Sequence, residues 1–545
     1  MFELALAVKN GDRGSRDDVD LKELSETLMD GALVIVGCVV AAVVLCLVVR
    51  AFDLRWTWAF SPLPAAAFLF GFSPTLGIAA GACLVGAGAL GFVRQRQDIE
   101  RGGTEAQAAR ERPGPLGYLR GAIERRRWRR ERVRGGRLAL GQGPNGSVHT
   151  VPFGERQGTR AFIIGAPGSG KTVTLATHAV AYVDWGYPVI SVDPKGDRDY
   201  CDQLRSAAER AGRPFYVWTP DGPAAYNPLG RGTPSEIADK ALAGEVWTEP
   251  HYLRQAQRYL GLELQALRAV GEWPPTLRSI SSHLNPERFD ALIDRVEGEL
   301  GKRLRDYLGG LSQRSRAELG GVRDRLAVLE ESELGRWLEP RHDGTDIDLA
   351  AALAENAVVY FQLDADRFPL ASQMVGASIV VDLVSLTGQL QGRAMPGLVI
   401  VDEFAAVAAE EISRLLSRSR SAGLSVLLAT QAFADLSLAR PGDSSESLRG
   451  QVLSHVDYLV AHRQSEPEAA ELLGQMAGTK PAWSLAERVG TDKGPIWELK
   501  RDGTKRRTRE FVRHPDEFKS LGTGRAIVIE PASPRLAERV QVWPA

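Results

Sequence analysis

Ala161-Phe162-Ile163-Ile164 runs directly into Gly165-Ala166-Pro167-Gly168-Ser169-Gly170-Lys171-Thr172, and the eleven residues that follow, VTLATHAVAYV, hold no helix breaker. An apolar strand, a glycine-rich turn ending in Gly-Lys-Thr and a helix are the parts of a phosphate-binding loop of the form G-x-x-x-x-G-K-[ST]. Its glycines let backbone N–H groups close around phosphate oxygens without a Cβ in the way, and the helix N-terminus adds a favourable dipole. In that frame Gly165, Ala166, Pro167, Gly168, Ser169 and Gly170 cradle the phosphates of ATP. Lys171 neutralises the β and γ phosphates, and Thr172 offers its hydroxyl to Mg²⁺.

The expected acidic partner lies far downstream, where Gly397-Leu398-Val399-Ile400-Val401 is an apolar strand ending in Asp402-Glu403. Asp402 is placed to hold Mg²⁺ through water, and Glu403 to orient and polarise the attacking water of an in-line phosphoryl transfer. Other strand-like runs, Tyr187 to Asp193, Arg213 to Trp218, Ala357 to Leu363 and Leu424 to Gln431, alternate with helix-length segments. That alternation predicts an α/β fold with a parallel central sheet covered on both faces. Between 234 and 340 the pattern turns wholly helical, rich in Leu, Arg and Glu, which predicts an all-alpha insertion. Phe511 to Ala545 predicts short edge strands that close the core.

Gly31 to Val49 is uncharged for nineteen residues, about 28 Å as a helix and enough to cross a bilayer core of about 30 Å. A second uncharged tract, Ser61 to Val93, is interrupted by Pro62, Pro64 and Pro74 and suits one tilted span with a connector. Two transmembrane helices are therefore expected. Fourteen arginines against six acids follow between Arg94 and Arg137, and this positive bias places the flank, and the chain after it, in the cytoplasm. The same run would meet anionic lipid. Over the 545 residues Lys plus Arg (67) nearly cancels Asp plus Glu (68), so attraction to a polyanion has to come from local clusters. Four cysteines with no CxxC spacing argue against a zinc site or a disulfide framework.

These readings divide the chain into a cytoplasmic N-terminal segment (1–30), a membrane anchor (31–93), a basic cytoplasmic linker (94–137), a first nucleotide-binding part (138–233), the helical insertion (234–340) and a second nucleotide-binding part (341–545).

The order of the phosphate loop, Asp193-Pro194-Lys195-Gly196-Asp197, Tyr226-Asn227-Pro228-Leu229 and VDEFAAV with Thr430-Gln431 downstream, behind N-terminal spans, resembles the TraG/TraD-type coupling proteins of conjugative type IV secretion systems. The resemblance implies a RecA-like P-loop NTPase with an inserted all-alpha domain, anchored in the inner or plasma membrane by two membrane helices and assembled as a homo-hexamer with ATP at subunit interfaces. It implies that Gln431 senses the γ-phosphate and that Arg420, eleven residues earlier, reaches the neighbouring subunit's γ-phosphate. It implies that the chain recruits a relaxase with its single-stranded DNA to the secretion channel and drives conjugative transfer by ATP hydrolysis. Basic segments that could meet the DNA are Lys493 to Arg509, including Trp497, and Arg303 to Arg325. The connector between spans is short and no long acidic tail follows Ala545, so partner choice is expected to fall on the helical insertion. The alternatives are an FtsK-type double-stranded DNA translocase, a secretion ATPase that exports protein effectors, and a non-enzymatic membrane scaffold.

Overall fold

The structure, a computed structural model, describes residues 36–49, 55–101, 114–155, 157–242, 249–341, 343–390, 394–407, 409–437, 445–487, 503–533 and 536–545. The expected N-terminal segment, with Trp497, Lys500 and Arg501, lies outside the described residues. The chain forms two compact units, Met1–Arg120 and Gly121–Ala545.

In the first unit Val36–Val49 is an apolar helix. The tract expected to give one span plus a connector forms a short turn, Trp56–Phe60, and two helices, Leu63–Phe72 and Pro74–Arg101. The break falls at Ser73, which is extended (φ −149°, ψ 112°), because a residue before proline is pushed out of the helical region and proline has no N–H to continue the ladder. The two helices then pack so closely at Gly77 that an added Cβ would fall 2.4 Å from that of Phe70. Leu76–Arg96, with mean hydropathy 2.0, is long and apolar enough to cross a membrane.

The second unit is built on a twelve-stranded sheet. Its centre is a run of parallel strands in the order β10 (Tyr458–Ala461), β4 (Arg160–Ile164), β9 (Leu424–Thr430), β8 (Gly397–Val401), β5 (Val189–Asp193), β7 (Val358–Gln362) and β6 (Phe215–Trp218). Alternate residues feed two cores: Phe162 and Ile164 join one, Ala161 and Ile163 the other. That is why these strands read as continuous apolar runs instead of alternating ones. The C-terminal strands differ from the expected edge. Strands β13 (Arg525–Ile529) and β14 (Ala537–Val542) continue the sheet from β10, antiparallel, and β14 pairs in turn with β2 (Arg137–Gln142), which carries β1 (Val133–Arg134) and β3 (Val148–Pro152). A separate antiparallel ribbon joins β11 (Thr479–Glu487) to β12 (Gly503–Phe511).

Neighbouring strands β6 and β7 are separated in sequence by a helical excursion that includes Pro234–Leu242, Pro250–Ala269 and Gln313–Glu330, with no strand among its described residues. Its two ends are tied together. Trp218 Nε1 and Tyr226 N both donate to the Trp337 carbonyl, at 3.0 and 2.9 Å, and Ile347 N donates to Ala225 O at 2.8 Å. Asn227 locks the turn beside them: its Oδ1 accepts from Leu229 N at 3.0 Å and its Nδ2 donates to Pro275 O at 2.9 Å. The helix Pro369–Gln389 is apolar and as long as a membrane span, but 78% of its apolar window is buried within the unit. Its one buried acid, Asp382, pairs with Lys240 of the first excursion helix at 2.5 Å and accepts from Tyr226 OH at 2.9 Å.

Candidate active site

A parallel sheet offers a crevice at the carboxyl ends of its strands, and the residues singled out in the sequence gather there. The loop after β4 starts the helix Lys171–Trp185, with Gly170 as its N-cap at φ 113°. Only glycine holds that conformation without strain. An added Cβ there would stand 3.0 Å from the backbone of Gly524, so the loop is also a close-packed seat. Gly524 N donates to Ser169 O at 2.9 Å, and Thr523 Oγ1 to Gly168 O at 3.4 Å. The turn ahead of β13 thus braces the phosphate loop from outside.

Strand β8 lies one strand away from β4, with β9 between them. At its end Glu403 adopts a left-handed φ of 42° and its N–H is fixed by Asp402 Oδ1 at 2.9 Å. A glutamate seldom holds this conformation, and such strain gathers at functional sites. One oxygen of Glu403, Oε1, accepts from Lys171 Nζ at 2.9 Å, Lys195 Nζ at 2.9 Å and Gln431 Nε2 at 2.7 Å. Burial works against ionisation of this carboxyl, but the Lys171 charge and the three donors outweigh it and hold Glu403 below the usual range. For Asp402 burial prevails over Lys171, and with the repulsion of Glu403 and Asp193 lifts it to about 6. A cavity of about 450 Å³ is lined by the loop, Lys171, Thr172, Asp402, Glu403 and Gln431 together. Lys171 and Glu403 meet there across 232 residues of chain.

Thr172 and Asp402 fit what Mg²⁺ takes beside a nucleotide, a hydroxyl and a carboxylate with phosphate and water oxygens completing the shell. Among the described residues no group of three or more His, Cys, Asp or Glu could hold a metal, so these two would bind the ion only in company with phosphate.

Arg420 is not brought to this cavity. It precedes β9, whose seven residues carry the chain about 20 Å to the end where Gln431 sits. Arg420 is exposed, and its Nε donates to Gln157 Oε1 at 3.2 Å.

Three contributors went unread in the sequence. Asp193, seen only as part of a turn, accepts from the N–H groups of Lys195, Gly196 and Asp197 and from Tyr360 OH at 2.6–3.0 Å, and this closes the loop that delivers Lys195 to Glu403. His462, at the end of β10, accepts from Thr174 Oγ1 at 2.9 Å and donates to Arg525 O at 3.1 Å. Burial lowers its imidazole to about 4, so it is a neutral brace. Thr523 is the third. Asp193 could have been found, since an acid two to four residues before free amides is an Asx-turn signal. His462 and Thr523 approach only through strand pairing.

The fold and the site define a RecA-like P-loop nucleotide-binding protein. The chain resembles the TraG/TraD-type coupling proteins: residues 396–522, which hold Asp402, Glu403 and Gln431, match the family described as the TraM recognition site of TraD and TraG. Among solved structures it is similar to the bacterial conjugative coupling protein TrwBdeltaN70 in its unbound form (TM-score 0.55, 18% identity, covering 77% of this chain and 91% of that one). It is similar also to the plasmid coupling protein TrwB in complex with ADP and Mg²⁺ (0.53, 18%, 76% and 91%). VirB4 of Thermoanaerobacter pseudethanolicus shares the fold at 0.50 and 14% identity, over 76% of this chain and 98% of that one. No curated protein matches the sequence.

Proposed function

We propose that this chain is a membrane-anchored ATPase of the type IV secretion coupling class, which receives a relaxase bound to single-stranded DNA and drives the strand toward the secretion channel. The observation that carries this reading is the convergence of Lys171, Lys195 and Gln431 on one oxygen of Glu403 at the mouth of the phosphate loop. Lysines beside the cradle are needed to hold a triphosphate. A carboxylate held ionised beside them can accept the proton of an attacking water. Mg²⁺, held by Thr172 and Asp402, would offset charge on the phosphate oxygens. Gln431, bonded to Glu403, would sense a γ-phosphate or the attacking water, and Arg420, exposed and remote from its own chain's cavity, would complete the site of a neighbouring copy in a hexamer.

In this reading 31–93 is the multi-pass inner-membrane anchor, 94–137 the basic cytoplasmic linker, 138–233 and 341–545 the two parts of the motor, and 234–340 the insertion that meets the relaxase. The similar structures named above include a plasmid coupling protein in complex with ADP and Mg²⁺, which supports ATP and Mg²⁺ here. The test is phosphate release by the full chain with and without single-stranded DNA. Hydrolysis that DNA stimulates and that Lys171→Ala abolishes is expected. Hydrolysis indifferent to DNA would move the cargo to protein, and undiminished hydrolysis by Lys171→Ala would overturn the ATPase reading.

A further inference from the structure

Three donors crowd one oxygen of Glu403, and a bound nucleotide takes one of them away. Lys171 Nζ and Lys195 Nζ both stand 2.9 Å from Oε1, and Gln431 Nε2 stands 2.7 Å from it. Lys171 belongs to the phosphate loop and is drawn to the phosphates when they arrive. Lys195 comes from a different wall of the cavity. Its loop leaves β5, the strand that pairs directly with β8, and Asp402 N donates to Val192 O at 3.0 Å where the two strands end. That loop is closed from both sides. Asp193 accepts from the N–H groups of Lys195, Gly196 and Asp197 at 2.9–3.0 Å, and Ala365 N donates to Pro194 O at 2.7 Å. Gly196 takes a left-handed φ of 76° against Gln362, whose side-chain nitrogen an added Cβ would meet at 2.6 Å. The root of Lys195 is therefore fixed to the same pair of strands as Glu403, while its side chain, 54% exposed against 10% for Lys171, stands at the open edge of the cavity.

We infer that Lys195 is a positioning residue: it stays on Glu403 Oε1 when Lys171 turns to the phosphates, and it keeps that carboxylate beside the attacking water through turnover. Left with the neutral Gln431 alone, an ionised Glu403 would face a triphosphate in a cavity it shares with Asp193 and Asp402. Like charges at such short range repel, and the side chain would swing outward from a backbone conformation that already strains it. An ammonium anchored through a neighbouring strand opposes that swing without occupying the phosphate cradle. A lysine that held the γ-phosphate would instead set the affinity for ATP, so the two roles separate experimentally. The inference rests on the ATPase reading and gives the two lysines different work within it.

The experiment is phosphate release and MgATP titration calorimetry with the detergent-solubilised full chain carrying Lys195→Met, Lys195→Arg, Glu403→Gln, or Lys195→Met and Glu403→Gln together. Lys195→Met should lower kcat roughly tenfold, a part of the about 10² to 10⁴ that a general base contributes. Its ATP affinity should stay within about threefold of the unsubstituted chain, since an exposed cation adds little to binding across water. Lys195→Arg keeps the charge and should recover most of the lost turnover. In the Glu403→Gln background Lys195→Met should change single-turnover hydrolysis by less than about twofold, because a residue that acts through another has nothing left to act on. An unchanged kcat in Lys195→Met, an affinity loss of about tenfold or more, no recovery with Lys195→Arg, or an equal fall in both backgrounds overturns the inference. In each of those cases hydrolysis that Lys171→Ala abolishes leaves the ATPase reading standing. Absence of hydrolysis by the unsubstituted chain overturns both.

Discussion

A nucleotide can take Lys171 only by loosening its ion pair with Glu403, whose side chains are 10% and 12% exposed. Glu403→Gln should therefore have opposite effects on binding and turnover. The substitution turns a charge-assisted hydrogen bond, worth about 1.5–3 kcal/mol, into a neutral one worth about 0.5–1.5 kcal/mol. Lys171 is released by about 1 kcal/mol, and a carboxylate that would repel the triphosphate is removed. ATP should bind roughly five- to tenfold more tightly, while hydrolysis falls by about 10² to 10⁴ with the loss of the proton acceptor. Titration calorimetry with MgATP and a phosphate-release assay on the same preparation read the two effects separately. Affinity equal to or weaker than that of the unsubstituted chain would refute the view that Glu403 holds Lys171 back. Turnover retained within tenfold would refute its role as base.

Lys240→Met should cost about 3–5 kcal/mol in unfolding free energy, because Asp382 is left charged and buried. The double change with Asp382→Leu should recover most of it, and a double variant no better than the single would show that the pair is not the source. Glu263 is fully buried in the helix Pro250–Ala269, neither of its oxygens has a hydrogen-bond partner, and burial pushes its carboxyl well above the ordinary range. Its folded pKa exceeds the unfolded one, so the stability it leaves intact in acid is lost as pH rises, by about 1.4 kcal/mol per unit until the folded pKa is passed. Glu263→Met should accordingly raise the melting temperature at pH 8 and change little near pH 4, and a gain equal at both would contradict this. Arg420→Ala should lower the ATPase of the assembled oligomer by about 10³ without altering nucleotide affinity, and full activity would remove Arg420 from the mechanism.

The local motifs were legible because each is written in consecutive residues: the strand, loop and helix around Lys171, and the apolar run ending in Asp402 and Glu403. The parallel core was legible because strands buried on both faces cannot hide their apolar runs. Two other stretches, one of them the short parallel strand β10, were not. Val133–Arg134 and Arg137–Gln142 are short and partly polar, Tyr458–Ala461 is apolar but only four residues long, and what makes Arg137–Gln142 and Tyr458–Ala461 strands is the partner each finds far along the chain, Gln541 for Gln142 and Ala161 for Tyr458. For the same reason His462 and Thr523, which brace the phosphate loop through strand pairing, leave no signature of their own. In the sequence Asn227 is only part of a family motif, and its work as a turn lock shows only once Pro275 is beside it.

The knot of bonds at Trp337, where the helical excursion departs and returns side by side, gives the protein a natural suture. Because outgoing and incoming ends meet at one place, a lobe of different length or surface can be grafted onto the same two stumps without shifting a strand of the motor. Variation of the lobe is thereby uncoupled from the geometry of the phosphate loop.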